Sequence, residues 1–123
     1  MKTGIVFILL FLSQPLMADW KQEERKINFL LDQIARVDGV FVRNGTEHSP
    51  EKAVEHLRMK MDKAMNSWFA PKKETWTAEL FIQKLASQSS ISGKPYQIKF
   101  SNGHSVNSGV WLLKKLGEFP RSP

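Results

Sequence analysis

The sequence predicts an α+β domain, with about four helices packed on a small two- to three-stranded antiparallel sheet. Three observations carry this. Apolar residues recur at helical spacing in four separate stretches, while two short runs alternate or are β-branched. Capping or turn residues bound most of these stretches. An isolated strand pair is marginal in water, so the sheet must lie against the helices.

Lys2, an apolar run over residues 5–12, Pro15 and a small residue, Ala18, precede the polar start Asp19-Trp20-Lys21. This is the pattern of a secretory signal peptide cut between Ala18 and Asp19, and the run is too short for a membrane span. The expected organisation is a leader over residues 1–18, one domain over 19–117 and a frayed tail over 118–123, with the processed chain in the periplasm.

The first helix is expected over residues 20–36, where Ile27, Leu30, Leu31, Ile34 and Val37 share a face and Asp38-Gly39 ends it. For the second, Ser49 caps, Pro50 takes the first helical position and Glu51 sits in the positive first turn. Ala53, Leu57, Met61, Ala64 and Trp68 form its buried stripe, and Pro71 closes it. Thr77 caps the third, with Trp76 and Phe81 placed as a hydrophobic staple and Ala78, Ile82 and Leu85 facing inward. The fourth covers Ser108–Leu116, with Ser108 as cap, Gly117 as a left-handed stop and Trp111, Leu112, Leu113 and Leu116 as packing residues.

Residues 96–100 alternate as a strand with one buried face, Asn102-Gly103 turns, and His104-Ser105-Val106 is a short return. Val40-Phe41-Val42-Arg43 is the other strand, followed by the Asn44-Gly45 turn.

There is no cysteine, which excludes disulfides, thiolate metal sites, a cysteine nucleophile and lipid attachment at the cut. The chain has 18 Lys and Arg against 12 Asp and Glu, a net charge of +6 that falls by one when Lys2 leaves with the leader. That excess is either a solvated surface or an attraction to anionic envelope components. The expected partners are such a component or another exported protein. An exported chain without a nucleic-acid module does not point to nucleic acid, and no transmembrane span is expected after processing.

Three polar groupings carry the candidate chemistry. Arg43-Asn44-Gly45 is a turn whose arginine can anchor an anion. His56 and Lys60 stand one turn apart at the edge of the second helix's buried stripe. Ser89, Ser90, Ser92, Gly93 and Tyr96 belong to a hydroxyl-rich connector that serves helix ends and turns or binds an anion or sugar. A serine hydrolase or transferase would use Ser90 or Ser92 with His56, but the G-x-S-x-G elbow and any S-x-x-K pairing are missing there. His48, His56 and His104 have no metal-ligand spacing, and no cofactor is implied.

Phe41-Val42-Arg43-Asn44-Gly45, Ala53-x-x-His56-Leu57-x-x-Lys60, Thr77-Ala78-Glu79-x-Phe81-Ile82, the serine connector through Tyr96 and Trp111-Leu112 together resemble the YfeK-like family. These are small exported proteins of Gram-negative bacteria whose activity is not characterised. The resemblance implies one shared cluster of Arg43, Asn44, His56, Lys60, Ser89, Ser90, Ser92 and Tyr96. It also implies that Gly39 and Phe100, which stand where relatives carry cysteines, are neighbours, with Phe41 and Ile98 paired across adjacent strands. The three resulting expectations are a non-catalytic periplasmic binding or interaction module, a serine–histidine enzyme, or a purely structural polar network.

Overall fold

The computed structural model describes residues 19–67 and 75–121. The leader, its Ala18 side of the cut, Trp68, Phe69 and Pro71 lie outside them. The elements run α1 (Trp20–Ala35), β1 (Gly39–Arg43), β2 (Thr46–His48), α2 (Pro50–Met65), α3 (Ala78–Phe81), a π-helical turn (Ile82–Ala86), β3 (Gln97–Phe100), β4 (Ser105–Asn107) and α4 (Ser108–Leu116). No helix among them is long and apolar enough to cross a membrane.

The sheet has four antiparallel strands in the order β2-β1-β3-β4, so the expected two or three were too few. The added strand is β2, whose residues Thr46-Glu47-His48 lack an apolar alternation. The turn creates it: Asn44 and Gly45 both take positive φ, at 52° and 79°, as a two-residue hairpin turn of type I′ demands. Between β1 and β3 the register places Gly39 opposite Phe100 and Phe41 opposite Ile98, the pairing expected above. A side chain at residue 39 has no room here, because a Cβ would stand 2.2 Å from the Lys99 carbonyl oxygen.

The inner face of the sheet and the helices share one core. Ile27, Leu30, Leu31 and Ile34 of α1 meet Phe41, Ile98, Leu57, Trp76, Phe81, Ile82 and Leu112 there. The Thr77 hydroxyl accepts from the Leu80 amide at 3.1 Å, and Trp76 and Phe81 are both buried. Glu23 of α1 adds a tertiary cap to α3, accepting from the Ala78 amide at 2.9 Å.

Several details differ from the periodic reading. Lys60, with 9% of its surface exposed, joins Ala53 and Leu57 on the buried face of α2, while Met61 and Ala64 are only partly buried. Asn107 is the N-cap residue of α4, so Ser108 is its first helical residue and not its cap. Gly117 keeps right-handed helical angles and is not a left-handed stop. Leu113 is exposed and packs no core. Within the expected tail, Phe119 packs edge-on against Phe29 with centroids 5.4 Å apart.

The third helix changes pitch after Phe81, and the π-helical turn leaves carbonyls that other elements satisfy. Ser87 Oγ donates to Ile82 O at 2.6 Å, Lys60 Nζ to Leu85 O at 2.7 Å and Ser108 Oγ to Ala86 O at 2.6 Å. Tyr96 N donates to Ser87 O at 2.9 Å, which ties the turn to the approach of β3. Gly109 lets α4 press on this turn, since a Cβ there would lie 2.5 Å from Ser87 Oγ.

Candidate functional site

Strand β1 ends at Arg43, and α2 crosses near it with His56 on the facing edge. Arg43 Nη1 lies 3.2 Å from His56 Nε2 and 3.5 Å from Nδ1. Tyr96 comes from the other side, its hydroxyl 3.4 Å from the same Nε2. Behind Tyr96, Lys60 Nζ donates to the phenol oxygen at 2.9 Å as well as to the carbonyls of Leu85 and Gln88.

The donor inventory favours a neutral histidine. An ammonium and a guanidinium only donate, so the phenol oxygen accepts from Lys60 and its proton is free to point at His56 Nε2. Arg43 donates to the same ring. At least one ring nitrogen is therefore an acceptor, which a neutral imidazole supplies and an imidazolium does not. The electrostatics agree. Burial first, then the charges of Arg43, Lys60, His48 and Lys63, hold the His56 ring below its usual range. Burial, followed by Arg43, lowers Lys60 to about 8. Burial raises Tyr96, with the Arg43 charge working against it.

Among the described residues no carboxylate pairs with Arg43, His56 or Lys60. The Arg43 and His56 side chains border a cleft of about 290 Å³. Phe41, Leu57 and Leu112 contribute apolar walls, and His48, Lys52 and Glu55 polar ones. The His48 Nε2 atom is buried with no hydrogen-bond partner. Glu55 is the one acidic residue lining the cleft, and it is paired with Lys52 at 3.6 Å.

The serine connector forms a separate half of the cluster. Asn44 Nδ2 donates to Ser89 Oγ at 3.3 Å, and Ser92 Oγ donates to Asn44 Oδ1 at 2.5 Å. Ser89 Oγ also accepts from the amides of Ile91 and Ser92, and Ser92 Oγ accepts from the Lys94 amide. These hydroxyls clip the connector to the β1–β2 turn. Ser90 is exposed on the connector outside that clip. The ring partners of His56 are Arg43 and Tyr96, so among the described residues the geometry offers no serine–histidine pair of the kind a nucleophile requires.

Of the eight residues expected in one cluster, Arg43, His56, Lys60 and Tyr96 make one connected chain. Asn44, Ser89 and Ser92 make the adjoining clip, and Ser90 belongs to neither. Sequence reasoning missed His48, Lys52, Glu55 and the apolar walls of the cleft. The one available signal was Asn44-Gly45, whose hairpin geometry obliges residues 46–48 to return beside β1 and brings His48 to the cleft.

Fold and site together define a small α+β domain with a basic edge, unpaired with carboxylates among the described residues, over a partly apolar cleft. Residues 21–120 match the model of a family of unknown function, DUF5329, and the chain belongs to that family. It is 44% identical over 91 residues to the uncharacterized protein YfeK of Salmonella typhimurium, covering 72% of this chain and 70% of that one. No solved structure matches it.

Proposed function

We propose that the chain is a non-catalytic periplasmic binding module whose cleft receives an anionic group at the Arg43–His56 edge. The observation that carries this reading is the company Arg43 keeps. Its guanidinium faces an imidazole at 3.2 Å where a structural arginine would face a carboxylate. A bound acid group would supply the missing counter-charge. An anionic envelope component, or an acidic surface on another exported protein, is the matching partner class, and the leader pattern of residues 1–18 supports the compartment.

A second reading is favoured for the inner half of the cluster. Lys60 is spent on two carbonyls and a phenol, which makes it a bridge between α2, the π-helical turn and Tyr96. That half is architectural, and the binding reading concerns the outer half only.

The test is a titration with methanesulfonate, a head group whose charge does not change with pH, followed by ¹⁵N-resolved spectra. Side-chain signals of Arg43 and His56 should move and those around Lys114-Lys115 should not. Arg43→Met should abolish the response with little change in melting temperature. A large fall in melting temperature with no response in the wild type would make the whole cluster architectural.

A further inference from the structure

The cleft joins two chemistries that a simple anion does not need together. Its rim is cationic, and its apolar lining includes Phe41, Leu57 and the exposed Met59. We infer that it takes a single-chain anionic amphiphile, with the acid group against Arg43, His48 and His56 and the alkyl or acyl chain on those apolar walls. The inference rests on the anion-binding reading and narrows it to one class of ligand.

Two observations select this class. The first is the orphaned Nε2 of His48, a buried polar atom of a residue that lines the same cleft as Arg43 and His56. A wholly apolar guest would leave it without a partner at the usual cost of an unsatisfied buried group. The second is the apolar lining, most open at Met59, which an inorganic anion would leave against water. An amphiphile answers both. The volume of about 290 Å³ lies at the small end of ligand clefts, which run from about 300 to 1,000 Å³, and suits one chain, not a diacyl lipid.

Binding of this ligand is coupled to a proton. The groups facing His56 are Arg43 from β1, His48 from β2, Lys60 and Lys63 from its own helix, and Tyr96 ahead of β3. None of these is a carboxylate. An acid head placed beside the ring reverses the sign of its surroundings, so the imidazole takes up a proton as the ligand enters.

Calorimetry with octanesulfonate, methanesulfonate and octan-1-ol tests the proposal on the full chain, below the concentration at which the surfactant forms micelles. Burying three added methylenes, at roughly fourfold in affinity each, predicts that octanesulfonate binds at least ~50-fold tighter than methanesulfonate. Octan-1-ol should bind at least ~10-fold more weakly than octanesulfonate, because it brings no charge to Arg43. Octanesulfonate affinity should rise as pH falls from about 7.5 to about 5.5, across the imidazole range. Ala53→Leu, which narrows the apolar side, should remove the advantage of the long chain while leaving methanesulfonate binding in place. Nuclear Overhauser contacts from chain methylenes to the Phe41 ring and Leu57 methyls in the wild type give an answer that does not depend on that variant folding.

Equal affinity for the two sulfonates, with both moving Arg43 and His56, overturns the amphiphile and leaves the anion reading standing. No response to either sulfonate ends both. Octanesulfonate binding that survives Arg43→Met, or that maps to Lys114-Lys115, also overturns the proposal.

Discussion

At the scale of single residues, the decisive feature is a buried ammonium without a carboxylate. Lys60 keeps its proton near neutral pH only because three oxygens surround it, and burial still lowers its pKa to about 8. The unfolded value is near 10.4, so the native protein holds this proton less tightly than the unfolded chain does. The resulting penalty is complete below about pH 8 and is lifted as pH rises toward about 10.4. Urea midpoints of the wild type should therefore gain on those of Lys60→Met across that window. A constant difference would mean that Lys60 titrates normally. His56 has the same sign in a lower range. Its folded pKa is depressed, so the stability it contributes is lost as pH falls below the unfolded value near 6.5. His56→Gln should flatten the acid side of the stability profile, measured by the same midpoints.

At the scale of elements, the π-helical turn organises the site more than any regular helix does. Its carbonyls draw in Ser87, Lys60 and Ser108, and that demand fixes how α2, α4 and Tyr96 approach one another. Ser108→Ala leaves the buried Ala86 carbonyl without its donor and should cost about 1–3 kcal/mol in denaturant unfolding, the usual penalty for such a group. Ser90→Ala, on the exposed part of the connector, should change stability by less than about 0.5 kcal/mol. The helix starts at Ser49 and Thr77 were legible because a cap is a local contract between one side chain and an amide three residues on. The pitch change was not, because the donors that satisfy it come from distant parts of the chain. Ser108 illustrates the difference. Its residue type suggested a cap, but its hydroxyl is used across the fold on Ala86.

At the scale of the whole molecule, the sheet brings the early turn, the α2 edge and the connector to one region. The antiparallel β1–β3 register does this, and it was readable from the paired replacement of residues 39 and 100 in the resemblance. Gly39→Ala should destabilise the protein by more than about 1 kcal/mol, since its Cβ would meet the Lys99 backbone at 2.2 Å and one strand must shift. Thermal unfolding measures this directly. Convergence of the polar groups was legible in outline, but their division into a basic edge and an Asn44–Ser89–Ser92 clip was not. Hydroxyl-rich connectors look alike in sequence whether they hold a ligand or hold themselves. The apolar side of the cleft was hidden for a related reason. Phe41, Leu57 and Leu112 have the spacing of core residues, and only their position beside Arg43 makes them a cleft wall.

The central claim is that the outer edge of this cluster is built to receive a negative charge. The most direct measurement is a ¹⁵N titration of the His56 ring with and without saturating octanesulfonate. The account predicts a depressed midpoint in the free protein that rises when the sulfonate is bound. A midpoint that stays in place under saturation would contradict it.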